Sequence, residues 1–167
     1  MMNDAFHRER YLLIVRKNTA TLNNLAAALT LEEARKWRDG GDGWTVLEVL
    51  CHLADFDEIF YQRVQAMLQE DNPSFVLKDH ERMVIDNRCN EQQLSDVMAR
   101  LNHSRQRFLA AFDALSEEQW ARRGTHPEQG DWNVMRSLIQ LATHDTTHIE
   151  QITRILLEKK ASSPASR

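Results

Sequence analysis

Apolar residues return every three or four positions along four long stretches of the chain, the spacing that lays one hydrophobic stripe down the side of an α-helix. Tyr11, Val15, Leu22, Leu25 and Leu29 predict a first helix over about residues 4–29. Val49, Leu53, Phe56 and Phe60 predict a second that starts near Thr45. Leu94, Val97, Leu101, Phe108, Phe112 and Leu115 carry a third, and Leu141, Ile152 and Ile155 a fourth over about residues 133–158.

Capping signals sharpen these boundaries. In a capping box the hydroxyl of a Ser or Thr accepts the amide three residues on, and a Glu or Gln there reaches back. Thr30 with Glu33, Thr45 with Glu48 and Ser116 with Gln119 fit that pattern, and Asn90-Glu91-Gln92-Gln93 reads as a further helix start. Gly40-Gly41-Asp42-Gly43 ends the short turn opened at Thr30. Residues 70–89, which include Asn72-Pro73, make a connection longer than an antiparallel turn needs. The second and third helices therefore need not be antiparallel. Residues 122–130 read as a loop. The starts of the second and fourth helices echo each other, Gly-Asp-Gly-Trp44-Thr45-Val46-Leu47 against Gly-Asp-Trp132-Asn133-Val134-Met135. The echo predicts two helical hairpins in a pseudo-symmetric scaffold, with any site built across the halves.

Composition agrees with an all-α fold. Five glycines and three prolines in 167 residues leave little punctuation for a many-stranded sheet, and no Val/Ile/Thr alternation stands out. The length suits one domain, residues 1–160, followed by a Ser- and Ala-rich disordered tail at residues 161–167. Twenty-one basic and 25 acidic residues are interspersed, giving a net charge of -4 without the basic face that nucleic acid requires. No apolar run approaches the ~18 residues of a membrane span, and residues 1–10 do not resemble a leader, so a cytoplasmic protein is expected. The two cysteines, Cys51 and Cys89, do not make a disulfide framework. Cys51 reads as a small buried hydrophobe.

Candidate chemistry lies in the stripes themselves. His144 and His148 are four apart on the fourth helix, so their rings project from one face about one turn, ~6 Å, apart and can converge on one metal ion. They share their stripe with Leu141, Ile152 and Ile155, and His52 lies within the stripe of the second helix. Burying a ring without a partner costs roughly 1–3 kcal/mol, so these positions call for hydrogen bonds or a cation. Three neutral imidazoles around a divalent ion leave an open position, as catalytic rather than structural sites do. Zinc, nickel or iron would each accept them. The other histidines, His7, His80, His103 and His126, read as surface groups, and Asp55, Asp57 and Glu58 as a solvated face. The four tryptophans pack the bundle ends, with Trp44 placed to line a pocket. Gln151 is in reach of His148.

With these motifs the chain resembles the DinB-like superfamily, the DinB/YfiT group of metalloenzyme-type bundles. Trp44-Thr45-Val46-Leu47-Glu48-Val49-Leu50-Cys51-His52-Leu53-Ala54-Asp55 and His144-Asp145-Thr146-Thr147-His148-Ile149-Glu150-Gln151 carry the resemblance, which spans residues 4–158. It implies a four-helix bundle of up-down-down-up topology, a divalent metal on His52, His144 and His148, a small-molecule substrate and frequently a homodimer. It implies no DNA partner. Members with assigned activities mostly use low-molecular-weight thiols, so a thiol-dependent S-transferase acting on small electrophiles is the first expectation. A metal-dependent hydrolase is the alternative. There Asp145 would occupy the place of the Glu in H-E-x-x-H, although one methylene shorter, and an exposed or supporting role for it is favoured. A non-catalytic metal- or ligand-binding bundle is the third reading.

Overall fold

The computed structural model describes residues 4–162. Seven helices and one small hairpin follow in order: α1 (Asp4–Ala27), α2 (Leu31–Lys36), α3 (Val46–Gln69), α4 (His80–Asp86), α5 (Leu94–Asp113), α6 (Glu117–Trp120), β1 (Arg123–His126), β2 (Gly130–Asn133) and α7 (Val134–Ser162). The four long helices are those read from the apolar stripes. All three capping boxes form, at Thr30, Thr45 and Ser116.

Side-chain pairings fix the helix directions. On α3 and α5, Asp55 meets Arg100, Asp57 meets Arg105 and Glu58 meets Arg107, so both numbers rise together and the helices are parallel. Between α1 and the α5 end of the chain the order reverses, Arg8 with Glu117, Arg16 with Asp113 and Asn23 with Asn102. Helix α7 likewise runs against α3, His148 lying beside His52 and His144 beside Phe60. The bundle is therefore up-down-down-up, and residues 70–89 are the crossover that returns the chain to the starting end.

The echo in sequence is an echo in structure. The first amide of α3, Val46, donates to the Trp37 carbonyl, and the first amide of α7, Val134, donates to the Arg122 carbonyl. Each half thus pins its second helix to the segment that follows its short capped turn.

Several expectations are corrected. The stretch 122–130 is an antiparallel hairpin in register Arg123 to Asn133, and Thr125 also receives a parallel bridge from Ser74 of the crossover. The crossover carries α4, capped by the Asp79 carboxylate on the Arg82 amide at 2.9 Å. Asn90 caps nothing of α5: residues 89–91 form a 3-10 turn and Gln93 is the N-cap, without a side-chain bond. That turn lies against α3, where Cys89 and Cys51 are joined as a disulfide with Cα atoms 5.8 Å apart. The two sit 38 residues apart in sequence, and only the return of the crossover brings them together. Ala161 and Ser162 still belong to α7, and the rest of the expected tail lies outside the described residues. Among the described residues no helix is long and apolar enough to cross a membrane.

The buried apolar side chains fall into two clusters. One gathers Leu22, Leu47, Leu50, Leu53, Leu101, Ile152 and Ile155; the other gathers Phe60, Phe108, Phe112, Trp120, Trp132, Leu138 and Leu141. Each such side chain contributes roughly 1.5–3 kcal/mol by leaving water. Between the clusters, at mid-height, lies a polar layer, and the candidate site is part of it.

Candidate metal centre

His52 stands two turns into α3, and His144 and His148 are one turn apart on α7. Antiparallel packing of the two helices brings their stripes face to face. The Nε2 atoms of His52 and His144 are 3.0 Å apart and those of His144 and His148 are 3.2 Å apart. All three ligand atoms lie within 4.8 Å of one another. Two nitrogens bound tetrahedrally to one zinc ion at about 2.0–2.1 Å would be roughly 3.3 Å apart, so His144 already stands from each of its two neighbours at about the spacing that one ion requires. The donor set fits a divalent ion.

Neighbouring groups fix the rings. Gln151 donates its Nε2 to the Asp39 carboxylate at 3.1 Å, which turns its carbonyl oxygen to Nδ1 of His148 at 2.8 Å. Because that oxygen can only accept, His148 carries its proton on Nδ1 and leaves Nε2 free as a ligand. Arg154 in turn holds Asp39, so the brace runs from the α2–α3 loop to α7. His144 Nδ1 is buried without a hydrogen-bond partner. Trp44 and Phe56 flank His52 at 4.8 and 4.5 Å between ring centroids and wall the site.

Burial keeps the rings neutral. It pushes His52 down to about 2 and His144 down to about 3, aided in each case by the neighbouring imidazoles, and it lowers His148 as well. Neutral imidazole is the form that binds metal.

Beneath the rings lies the other half of the polar layer, which the sequence reading missed. Arg105 of α5 donates Nη1 and Nη2 to the two oxygens of Asp145 and Nε to Asp57, each at 2.5 Å. All three residues are at most 1% exposed. Asp57 is therefore not on a solvated face, and Asp145 is neither exposed nor free to act as a base. Burial raises both carboxyl groups while Arg105 pulls them down; burial likewise opposes the guanidinium charge, but the two acids hold it above its ordinary value. The signal was present in the periodicity. Position 105 completes the stripe from Leu101 to Phe108, and a charged residue at a core position asks for partners.

Of the histidines read as surface groups, His126 departs from that expectation and His80 keeps it. His126 is 5% exposed and stacks on Trp132 at 5.2 Å. His80, the first residue of α4, is exposed but stands 6.1 Å from His52 and 6.0 Å from Trp44 between ring centroids. The crossover, not a stripe, delivers it. His7 and His103 take no part in the three-histidine cluster.

The sequence profile of the DinB superfamily matches residues 14–152. The chain belongs to the DinB superfamily. An Oceanobacillus iheyensis protein named "Putative metal-dependent hydrolase" is 26% identical over 87% of this chain and 82% of its own length. Bacillus subtilis YfiT, which bears the same name, is 25% identical over 89% of this chain and 83% of its own. The solved structure of YfiT, described as an unusual four-helix bundle topology, superposes with a TM-score of 0.83 at 24% identity, covering 92% of this chain and 87% of that one. A mycothiol-dependent maleylpyruvate isomerase shares the fold with a TM-score of 0.73 at 14% identity, over 87% of this chain and 60% of its own.

The depressed histidines make a prediction for this DinB-superfamily bundle without metal. Each ring binds its proton more weakly in the folded than in the unfolded chain, where the ordinary value is 6.5. Below that pH the unfolded chain holds more protons, so stability is lost as pH falls, by ~1.4 kcal/mol per pH unit per histidine. Asp57 and Asp145, held above the ordinary carboxylate value, act in the opposite sense over the same acidic range. The readout is thus a difference. Urea denaturation of His52→Phe should show a slope between about pH 6 and pH 5 that is shallower than wild type by one histidine's share. Equal slopes would show that His52 titrates as it does in the unfolded chain.

Proposed function

We propose that the protein is a metal-dependent hydrolase of small substrates, with His52, His144 and His148 holding one divalent ion. The gathering of their three ligand nitrogens within 4.8 Å of one another carries this reading. Zinc or nickel suits the all-imidazole set best, and iron also fits it. When bound, such an ion lowers the pKa of a water or thiol that joins it and polarises a substrate oxygen.

The chain's own residues do the rest. Gln151 and Asp39 hold the His148 ring so that its Nε2 faces the centre. Trp44 and Phe56 limit access of bulk water. Asp145 is committed to Arg105, so this reading assigns the proton acceptor elsewhere, to the imidazole of His80, whose ring centroid is 6.1 Å from that of His52. Imidazole is the commonest such base, contributing typically 10²–10⁴-fold. The names of the relatives support hydrolysis. A cavity of about 160 Å³ beside His144 offers room for a small substrate.

A thiol-dependent S-transfer is the second reading, favoured by the mycothiol-dependent isomerase that shares this fold. One experiment separates the readings. The zinc- and nickel-loaded protein is assayed on aryl esters and amides, with and without low-molecular-weight thiols. Hydrolysis without thiol, lost on chelation and lowered about 10²-fold in kcat by His80→Gln at unchanged metal content, is expected. Turnover only with thiol would establish the transferase instead. Saturable metal binding with no turnover in either arm would make the bundle a binding protein.

A further inference from the structure

Beside His144 a cavity of about 160 Å³ opens toward the crossover and the β1–β2 hairpin. Phe56, Phe60 and Trp132 form apolar walls, and Arg63, Lys78, His126 and Glu128 supply its polar lining. We propose that this cavity is a carboxylate-binding subsite, taking a small, flat organic anion on the Arg63 guanidinium and the Nε2–H of His126, with its reactive end toward His144. The catalytic use of the subsite rests on the hydrolase reading above. The binding of the anion does not.

His126 is set up as a donor. Its Nδ1 accepts the backbone amides of both Glu128 and Gln129 at 3.3 Å, so the neutral ring carries its proton on Nε2. Stacking on Trp132 and near-complete burial hold that ring in one orientation. Burial, then the charge of nearby Arg63, keeps it below the ordinary imidazole value, so it offers a fixed neutral N–H rather than a mobile cation.

Arg63 is a half-buried cation without a carboxylate. Among the described residues its guanidinium meets the Val76 carbonyl at 3.3 Å and the face of Phe75 at 5.4 Å, with no ion pair. This contrasts with Arg105, Arg107 and Arg154, each of which holds an acid. A guanidinium that is partly desolvated and still unpaired gains most from an incoming carboxylate. Arg136 also acts on His126 but is occupied by the Asp131 carbonyl and the Gln129 side chain. Counting Arg63 and Lys78 against Glu128, the cavity carries one net positive charge. Aromatic walls select a flat body, and the volume is below the roughly 300–1,000 Å³ of pockets for drug-sized ligands, which sets the size.

The test is calorimetric titration of the full chain, zinc-loaded and metal-stripped, with benzoate and its uncharged isostere benzamide. Benzoate is expected to bind both forms, with benzamide at least tenfold weaker. Arg63→Gln and His126→Phe should each weaken benzoate about tenfold to a hundredfold, the loss expected for one charge-assisted bond, at unchanged zinc stoichiometry. His126→Gln, which keeps an N–H donor, should recover part of the loss. Equal binding of the two probes, or full benzoate affinity in Arg63→Gln, would overturn the subsite. So would benzoate binding that needs zinc and ignores Arg63, since the anion would then sit on the metal. If instead zinc is not taken up while benzoate still discriminates through Arg63, the subsite stands and the metalloenzyme reading falls.

Discussion

His52→Ala is expected to abolish divalent-metal binding by the folded protein. The wild-type chain, purified without a histidine tag and without reductant, should take up about one zinc or nickel ion, because one trio of Nε2 atoms converges and the sulfurs of Cys51 and Cys89 are occupied by each other. A ligand that binds only the folded state stabilises it by RT ln(1 + [L]/Kd), about 2.7 kcal/mol at a hundredfold excess over Kd. For a domain of this size that raises Tm by roughly 5–11 °C. His52→Ala, His144→Ala and His148→Ala should each lose that increment together with the ion, and His148→Ala removes little core volume. Elemental analysis and a thermal melt with and without metal read the result. A metal response that survives in any one of the three variants would sink the ligand set.

Arg105→Met should cost about 3–5 kcal/mol, because it leaves Asp57 and Asp145 buried together with no cation. Urea denaturation measures it, and its pH dependence identifies the cause. Both carboxyls already sit above the ordinary value of 3.8 in the folded chain. Without the guanidinium they rise further, so the folded state favours their protonated forms. Stability held at low pH is then lost as pH rises through those values, and the deficit of Arg105→Met should shrink on acidification. A loss below about 1 kcal/mol, or one independent of pH, would show that the ion triad is not what holds the polar layer. The same variant should weaken metal binding, since Asp145 fixes the turn of α7 that carries His144 and His148.

The sequence alone determined a great deal. The stripes of the four long helices, the capping boxes at Thr30, Thr45 and Ser116, and the inward positions of His52, His144 and His148 are local facts. They are patterned by residues three or four apart, so they can be read without knowing which other segment each helix packs against. The long connection of residues 70–89 even allowed the parallel pair α3 and α5. The inward charges at positions 57, 105 and 145 were not read from the sequence, because a charged residue at a core position has a meaning only when its partners are known.

Those partners come from other helices. Asp57 meets an arginine 48 residues on, Asp145 meets the same arginine 40 residues back, and Cys51 meets Cys89 across 38. A stripe tells which face of a helix leaves water. It does not tell which two stripes will face each other, or at what height. Only the tertiary structure decided that the crossover returns His80 to the mouth of the site and that the hairpin carries His126 onto Trp132. These contacts are set by chain closure and packing between segments far apart in sequence, for which no local preference is encoded.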